Sequence, residues 1–197
     1  MRFVLTGGSG FVGNYLIKKL CYLYPQIKIH NLDINPSKPN IKIESGKQNL
    51  TNHLVDITNK GDLMKFKFDQ DDVVFHLAAH IFHPQTPYRT KRKEYFEKLN
   101  VEGTKNILEE MNKNNVKRIA FLSTCMVYGT PQHKMMKTTH PLKPNGPYGS
   151  AKIKAEKLIT DFGQAKQNKT LIYRPGLIAG PGRFGLLGKL FFLVKNN

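Results

Sequence analysis

Seven residues near the start of the chain, Gly7-Gly8-Ser9-Gly10-Phe11-Val12-Gly13, restrict the possible folds more than any other feature. They stand between a short apolar run at residues 2–6 and a stretch over Phe11–Leu23, in which Val12, Leu16, Leu20 and Leu23 recur at helical spacing. A strand that turns through glycines straight into a helix leaves the first helical N–H groups free, where no Cβ blocks an approaching anion. Two spacings are met at once: Gly8, Gly10 and Gly13 fit G-x-G-x-x-G, and Gly7, Gly10 and Gly13 fit G-x-x-G-x-x-G. A plain tight turn would satisfy either, so the context decides.

That context is a second strand candidate at 27–32 ending on Asp33, 20 residues beyond Gly13, before the breakers Asn35, Pro36 and Pro39. A carboxylate there accepts hydrogen bonds from the hydroxyls of an adenosine ribose, which completes a dinucleotide-binding pattern. It also repels a 2′-phosphate, so NAD is favoured over NADP, although Lys38 nearby keeps NADP open. The competing reading of Asp33 is a loop cap.

Strand and helix patterns then alternate. Residues 53–56 read as a short third strand, 62–68 as a helical turn or two, and 73–77 (VVFHL) as a buried strand. Residues 94–113 form a helix with Phe96, Leu99, Gly103, Ile107 and Met111 on one stripe. A strand at 118–123, a helix at 148–166 and a strand at 170–174 follow. Such alternation predicts an α/β fold, a doubly wound parallel sheet covered on both faces. Residues 1–175 are expected to form one nucleotide-binding domain. Residues 176–197, broken by Gly176, Gly180, Pro181, Gly182, Gly185 and Gly188, read as the start of a region left incomplete.

The second chemical constellation is Tyr148-Gly149-Ser150-Ala151-Lys152. Positions i and i+4 of a helix share a face, so the phenol and the ammonium can serve one site. A phenol is a poor base at neutral pH, and a neighbouring cation favours its phenolate. Thr124, at the end of the fifth strand, supplies a hydroxyl that can hold a substrate oxygen. An ordinary surface pair is the bland alternative for Tyr148 and Lys152.

Taken with TGGSGFVG at 6–13, Asp56-Ile57, HLAA at 76–79, NVEGT at 100–104, STCMVYG at 123–129 and RPGLIAGPG at 174–182, these motifs give a chain that resembles the extended short-chain dehydrogenase/reductases, NAD-dependent epimerase/dehydratase branch. The resemblance implies a Rossmann-like NAD-binding fold. It implies that Gly7, Gly10, Phe11 and Val12 line the pyrophosphate turn, Asp33 holds the adenosine ribose, and Asp56 and Ile57 contact adenine. Leu77, Ala78 and Ala79 would follow the middle of the cofactor, with Ser123, Pro175 and Leu177 toward the nicotinamide. Thr124, Tyr148 and Lys152 would be catalytic, Tyr148 taking a proton from a hydroxyl of a nucleotide-sugar while hydride passes to NAD, and Lys152 also meeting the nicotinamide ribose.

Two departures qualify the resemblance. Relatives that remove water carry Asp-Glu after the catalytic threonine, and decarboxylases keep a glutamate there. Cys125 and Met126 occupy those positions, which leaves epimerisation or hydroxyl/ketone oxidoreduction. Family members also continue into a substrate-binding lobe, so the chain reads as a fragment or a truncation with that lobe largely missing. A dehydrogenase similar to the 3β-hydroxysteroid group, or a non-catalytic NAD-binding protein, are the alternatives. The assembly implied leaves room for a homodimer.

Composition excludes other classes. The longest apolar stretch, 184–194, is interrupted by Lys189 and too short to span a bilayer. No secretory signal is visible, and two cysteines, Cys21 and Cys125, cannot build a disulfide framework, so a cytoplasmic protein is expected. The net charge of +17 suits anionic small molecules, but only six of the 31 basic residues are arginine and the lysines are scattered, unlike a specific nucleic-acid reader. His76, His80 and His83 lack a carboxylate partner in sequence and are not expected to bind metal. Cys125 reads as a small packing residue, and the basic run at 88–93 as a solvated loop.

Overall fold

β-Branched and aromatic residues on both faces of the short strands require helices on either side, and the computed structural model has that arrangement. It describes residues 1–36, 49–83, 85–131, 135–165, 168–181, 183 and 193–194. Lys38, Pro39, Lys189 and most of the predicted 176–197 region therefore lie outside the described residues.

Six parallel strands form one sheet: β1 (Phe3–Thr6), β2 (Ile29–Asp33), β3 (Leu50–Leu54), β4 (Val73–His76), β5 (Arg118–Leu122) and β6 (Lys169–Tyr173), in the order β3-β2-β1-β4-β5-β6. The order reverses between β1 and β4. Loops leaving the two strands at this point diverge and open a crevice at the carboxyl ends. Register sets Thr6 beside both Leu32 and His76, at the lip of that crevice.

β1 shows how sequence feeds two cores. Phe3 and Leu5 face helix α1 (Phe11–Leu23), packing with Ile17, Leu20, Cys21 and Ile29. Val4, on the opposite face, joins Leu32, Val74, Ile119 and Phe121. That second core is covered by α2 (Lys60–Met64), α4 (Thr104–Lys113) and α5 (Pro147–Ala165) through Leu63, Ile107, Met111, Ala155 and Ile159.

Three element boundaries differ from the sequence reading. The third strand lies at Leu50–Leu54, because pairing with β2 decides it rather than local hydrophobicity. The second helix starts at Lys60, where the Asn59 side chain caps it by accepting from the N–H groups of Gly61 and Asp62. The expected 94–113 helix begins as α3 (Arg92–Glu97), passes through a π-helical turn over Lys98–Gly103, and continues as α4. The turn carries Asn100, 1% exposed, whose side chain both accepts from the His80 N–H (2.8 Å) and donates to the His80 carbonyl (3.0 Å). Inserted π-turns often mark functional regions. Among the described residues no helix is long and apolar enough to cross a membrane.

Candidate active site

The glycine turn is built by close approach. Gly7 has φ +71°, and a Cβ there would lie 2.6 Å from the Ala78 Cα; a Cβ on Gly13 would lie 2.5 Å from the Gly8 Cα. Gly10 caps α1 in an extended conformation, with no side-chain cap and no acid in the first turn. The helix start is thus short of partners and electropositive, and its residues Phe11, Val12 and Gly13 line a cavity of about 500 Å³. A diphosphate fits these donors.

On one side of the turn is a second cavity of about 540 Å³, whose walls include Gly7, Gly10, Asp33, Asp56, Ile57, Leu77, Ala78 and Ala79. The structure therefore brings together every residue expected near an adenosine. Asp33 is tied in already: its carboxylate accepts from the N–H of Ser9 (3.0 Å) and of Asn35 (2.9 Å). Asp56 accepts from the Thr58 N–H and hydroxyl, both at 2.8 Å.

On the other side, the 500 Å³ cavity joins the helix start to Ser123, Thr124, Tyr148, Pro175 and Leu177, with Leu77 and Ala79 shared between both cavities. Thr124 caps the helical turn Cys125–Tyr128, its hydroxyl oxygen accepting from the Met126 N–H at 3.2 Å, which leaves the O–H proton to donate elsewhere. Cys125 is exposed on the same wall, beside Met126.

Lys152 departs from expectation. Its ammonium does not line this cavity; it is 1% exposed, donates to the Leu122 carbonyl at 2.7 Å and lies 4.1 Å from the Phe121 ring centre. Burial lowers it to about 7, against the pull of Glu156. Tyr148, packed against Phe82 and Phe96, is pushed up by burial, and the cation that opposes this is Arg183. A four-residue helical spacing put both side chains at one site, but it could not tell which way a long lysine stem would run.

The sequence reading also missed the scaffold behind the strand ends. Glu156, one turn beyond Lys152, accepts from the Ser123 hydroxyl and forms a two-point ion pair with Arg174. Arg174 reaches on to the Tyr128 hydroxyl (2.8 Å) and the Thr138 carbonyl (3.1 Å).

His76 closes a second chain. Thr104 donates its hydroxyl to the Asn100 carbonyl (2.8 Å), so it accepts from His76 Nε2 (2.9 Å). Nδ1 then accepts from the Thr6 hydroxyl (2.6 Å), whose oxygen receives the Ala78 N–H (3.3 Å). His76 is neutral here, since burial brings it down to about 3. His80 and His83 are engaged with Tyr95, at its carbonyl (2.9 Å) and hydroxyl (2.8 Å). Among the described residues, no group of three or more His, Cys, Asp or Glu is placed to hold a metal ion.

Residues 3–193 match the family model of the NAD dependent epimerase/dehydratase family. The chain belongs to that family. Within the NAD-dependent epimerase/dehydratase family it is 28% identical over 202 residues to dTDP-D-glucose 4,6-dehydratase of Homo sapiens, covering 100% of this chain and 57% of the relative. It is 31% identical over 202 residues to UDP-glucose 4-epimerase 2 of Oryza sativa subsp. japonica, with 98% and 48% covered. A crystal structure of UDP-galactose 4-epimerase superposes with a TM-score of 0.80 at 28% identity, covering 100% of this chain and 63% of that one. The chain spans about half the length of the curated relatives it matches.

Proposed function

We propose that the chain carries the dinucleotide-binding and acid–base part of an NAD-dependent oxidoreductase or epimerase acting on a hydroxyl of a nucleotide-sugar. The observation that carries this reading is the single cavity shared by Thr124, Tyr148 and the uncapped start of α1. The bound dinucleotide would supply reversible two-electron oxidation of a secondary alcohol.

The chain's own residues divide the remaining work. Phe11 and Val12 offer backbone donors to the diphosphate, in a turn whose close approach Gly7 and Gly10 permit while their own N–H groups hold the Leu32 and Gly7 carbonyls; Asp33 takes the adenosine ribose; Asp56 and Ile57 flank the adenine. Leu77, Ala78, Ala79 and Ser123 form the floor, and Pro175 and Leu177 border the nicotinamide. Thr124 donates its free O–H proton to the substrate oxygen, and Tyr148, having released its own proton to stand as phenolate, accepts the proton that this oxygen gives up and becomes the neutral phenol. Lys152 serves the nicotinamide ribose by exchanging the Leu122 carbonyl for a ribose hydroxyl. NAD is preferred over NADP because the Asp33 carboxylate opposes a 2′-phosphate.

Among the described residues no carboxylate lines the cavity that holds Tyr148. Cys125 and Met126 cannot supply the extra acid and base that elimination of water needs, which favours epimerisation or simple oxidoreduction over dehydration.

The test is calorimetry of the purified chain with NAD and NADP, followed by a panel of UDP- and dTDP-sugars. NAD binding with epimerised sugar and no net NADH is expected. Binding without turnover of any sugar would reduce the reading to nucleotide binding, and no binding of either dinucleotide would reject it.

A further inference from the structure

The cavity that holds Tyr148 is lined by glycines, apolar side chains, hydroxyls and a thiol, and its one charged lining residue among those described is Arg183. Arg183 is positioned by two contacts. Its backbone N–H donates to the Gly180 carbonyl at 3.0 Å, and its guanidinium lies 5.4 Å from the ring centre of Phe11, the first residue of α1. Among the described residues it has no carboxylate partner. An unpaired guanidinium on an acid-free wall projects its field into the cavity rather than into a neighbour.

The groups around the phenol leave few other sources of charge. From its own helix comes Lys152, spent on the Leu122 carbonyl. From the turn after β5 come Thr124 and the Cys125 thiol. From α3 and the segment after β4 come the Phe96 and Phe82 rings, the latter covered by Arg92 at 5.6 Å on its way to the Pro87 carbonyl. Arg183, on the segment after β6, lines the same cavity as the phenol.

We infer that Arg183 is a positioning residue for the acid–base step, the cation against which the Tyr148 phenol releases its proton. This rests on the reading of Tyr148 as the proton acceptor from substrate, and adds that its activation does not come from Lys152 alone. The phenol's ordinary value is pushed up by burial, and Arg183 opposes that push, consistent with the geometry.

The test reads the phenol directly, without substrate or turnover. The chain has eight tyrosines. In protein labelled with ¹³Cζ-tyrosine, Tyr148→Phe identifies the Tyr148 signal, whose position is followed with pH. Arg183→Met should raise the Tyr148 midpoint by about one unit and leave the other signals in place. Arg183→Lys should restore most of the shift, and Arg183→Gln reproduces the loss if the methionine variant folds poorly. A midpoint unchanged in both neutral variants, or moved only by Lys152→Met, would overturn the inference. Failure of the chain to turn over sugars would leave this result standing, so the two readings fail separately.

Discussion

Glu156 and Arg174 meet in parallel, Nε to Oε1 at 2.9 Å and Nη2 to Oε2 at 2.7 Å, and the carboxylate side chain is only 4% exposed. One ion pair thereby joins α5 to the chain leaving β6, while its remaining hydrogen bonds gather Ser123, Tyr128 and Thr138. Four segments around the cavity share one electrostatic knot.

Removing one partner strands the other charge. Glu156→Ala should destabilise the fold by about 3–5 kcal/mol in urea titration, whereas Glu156→Leu combined with Arg174→Met should recover a large part of that loss. Equal destabilisation by the single and double variants would show that the pair does not act as a unit.

His76 gives the protein an acid-sensitive limb. Its folded value near 3 lies well below the 6.5 of an exposed imidazole, so between these values the unfolded chain binds more protons. Stability must then fall as pH drops below about 6.5, at roughly 1.4 kcal/mol per pH unit from this residue. His30 and His53, also lowered by burial, add to the slope. Denaturation curves from pH 6 to 4.5 should be steeper in pH for the wild type than for His76→Gln; parallel slopes would mean that the imidazole is charged in the fold.

The glycine turn tolerates no methyl group at Gly13. The nearest atoms to its missing Cβ are Gly8 backbone, at 2.5 Å, and backbone cannot rotate aside as a side chain can. Gly13→Ala should cost about 2–3 kcal/mol of stability and weaken NAD binding at least tenfold by calorimetry. Gly146→Ala, with nothing within 4 Å of its missing Cβ, is the matched control and should do neither.

Tyr148→Phe removes a transferable proton and almost no surface. Turnover of the sugar identified by the panel should fall at least about a hundredfold, with NAD affinity within about twofold of wild type. Retained turnover would remove Tyr148 from the chemistry.

Much of this architecture was legible because it is local. The apolar run at 2–6 is β1, Asp33 ends a strand at a fixed distance from Gly13, and Thr124 stands two residues past β5, all of which pattern and spacing reveal. What stayed hidden depends on long-range geometry. Glu156 finds Ser123 across 33 residues and Arg174 across 18, and no periodicity announces either partner. The direction of the Lys152 stem, and the placement of Arg183 against Phe11, depend on which carbonyl or ring lies within reach once the sheet has formed.

The π-turn at Lys98–Gly103 has an implication for how this sequence can change length. Such a turn contains one residue more than the regular coil around it. Deleting a single residue there would restore the regular helical ladder with the flanking faces still in phase, yet it would draw in the widened turn that presents Asn100. Asn100 would lose its double clasp on His80, and with it the segment that roofs both cavities. A better helix would make a worse protein, so insertions and deletions at this surplus residue should be far less tolerated than substitutions on the helix surface.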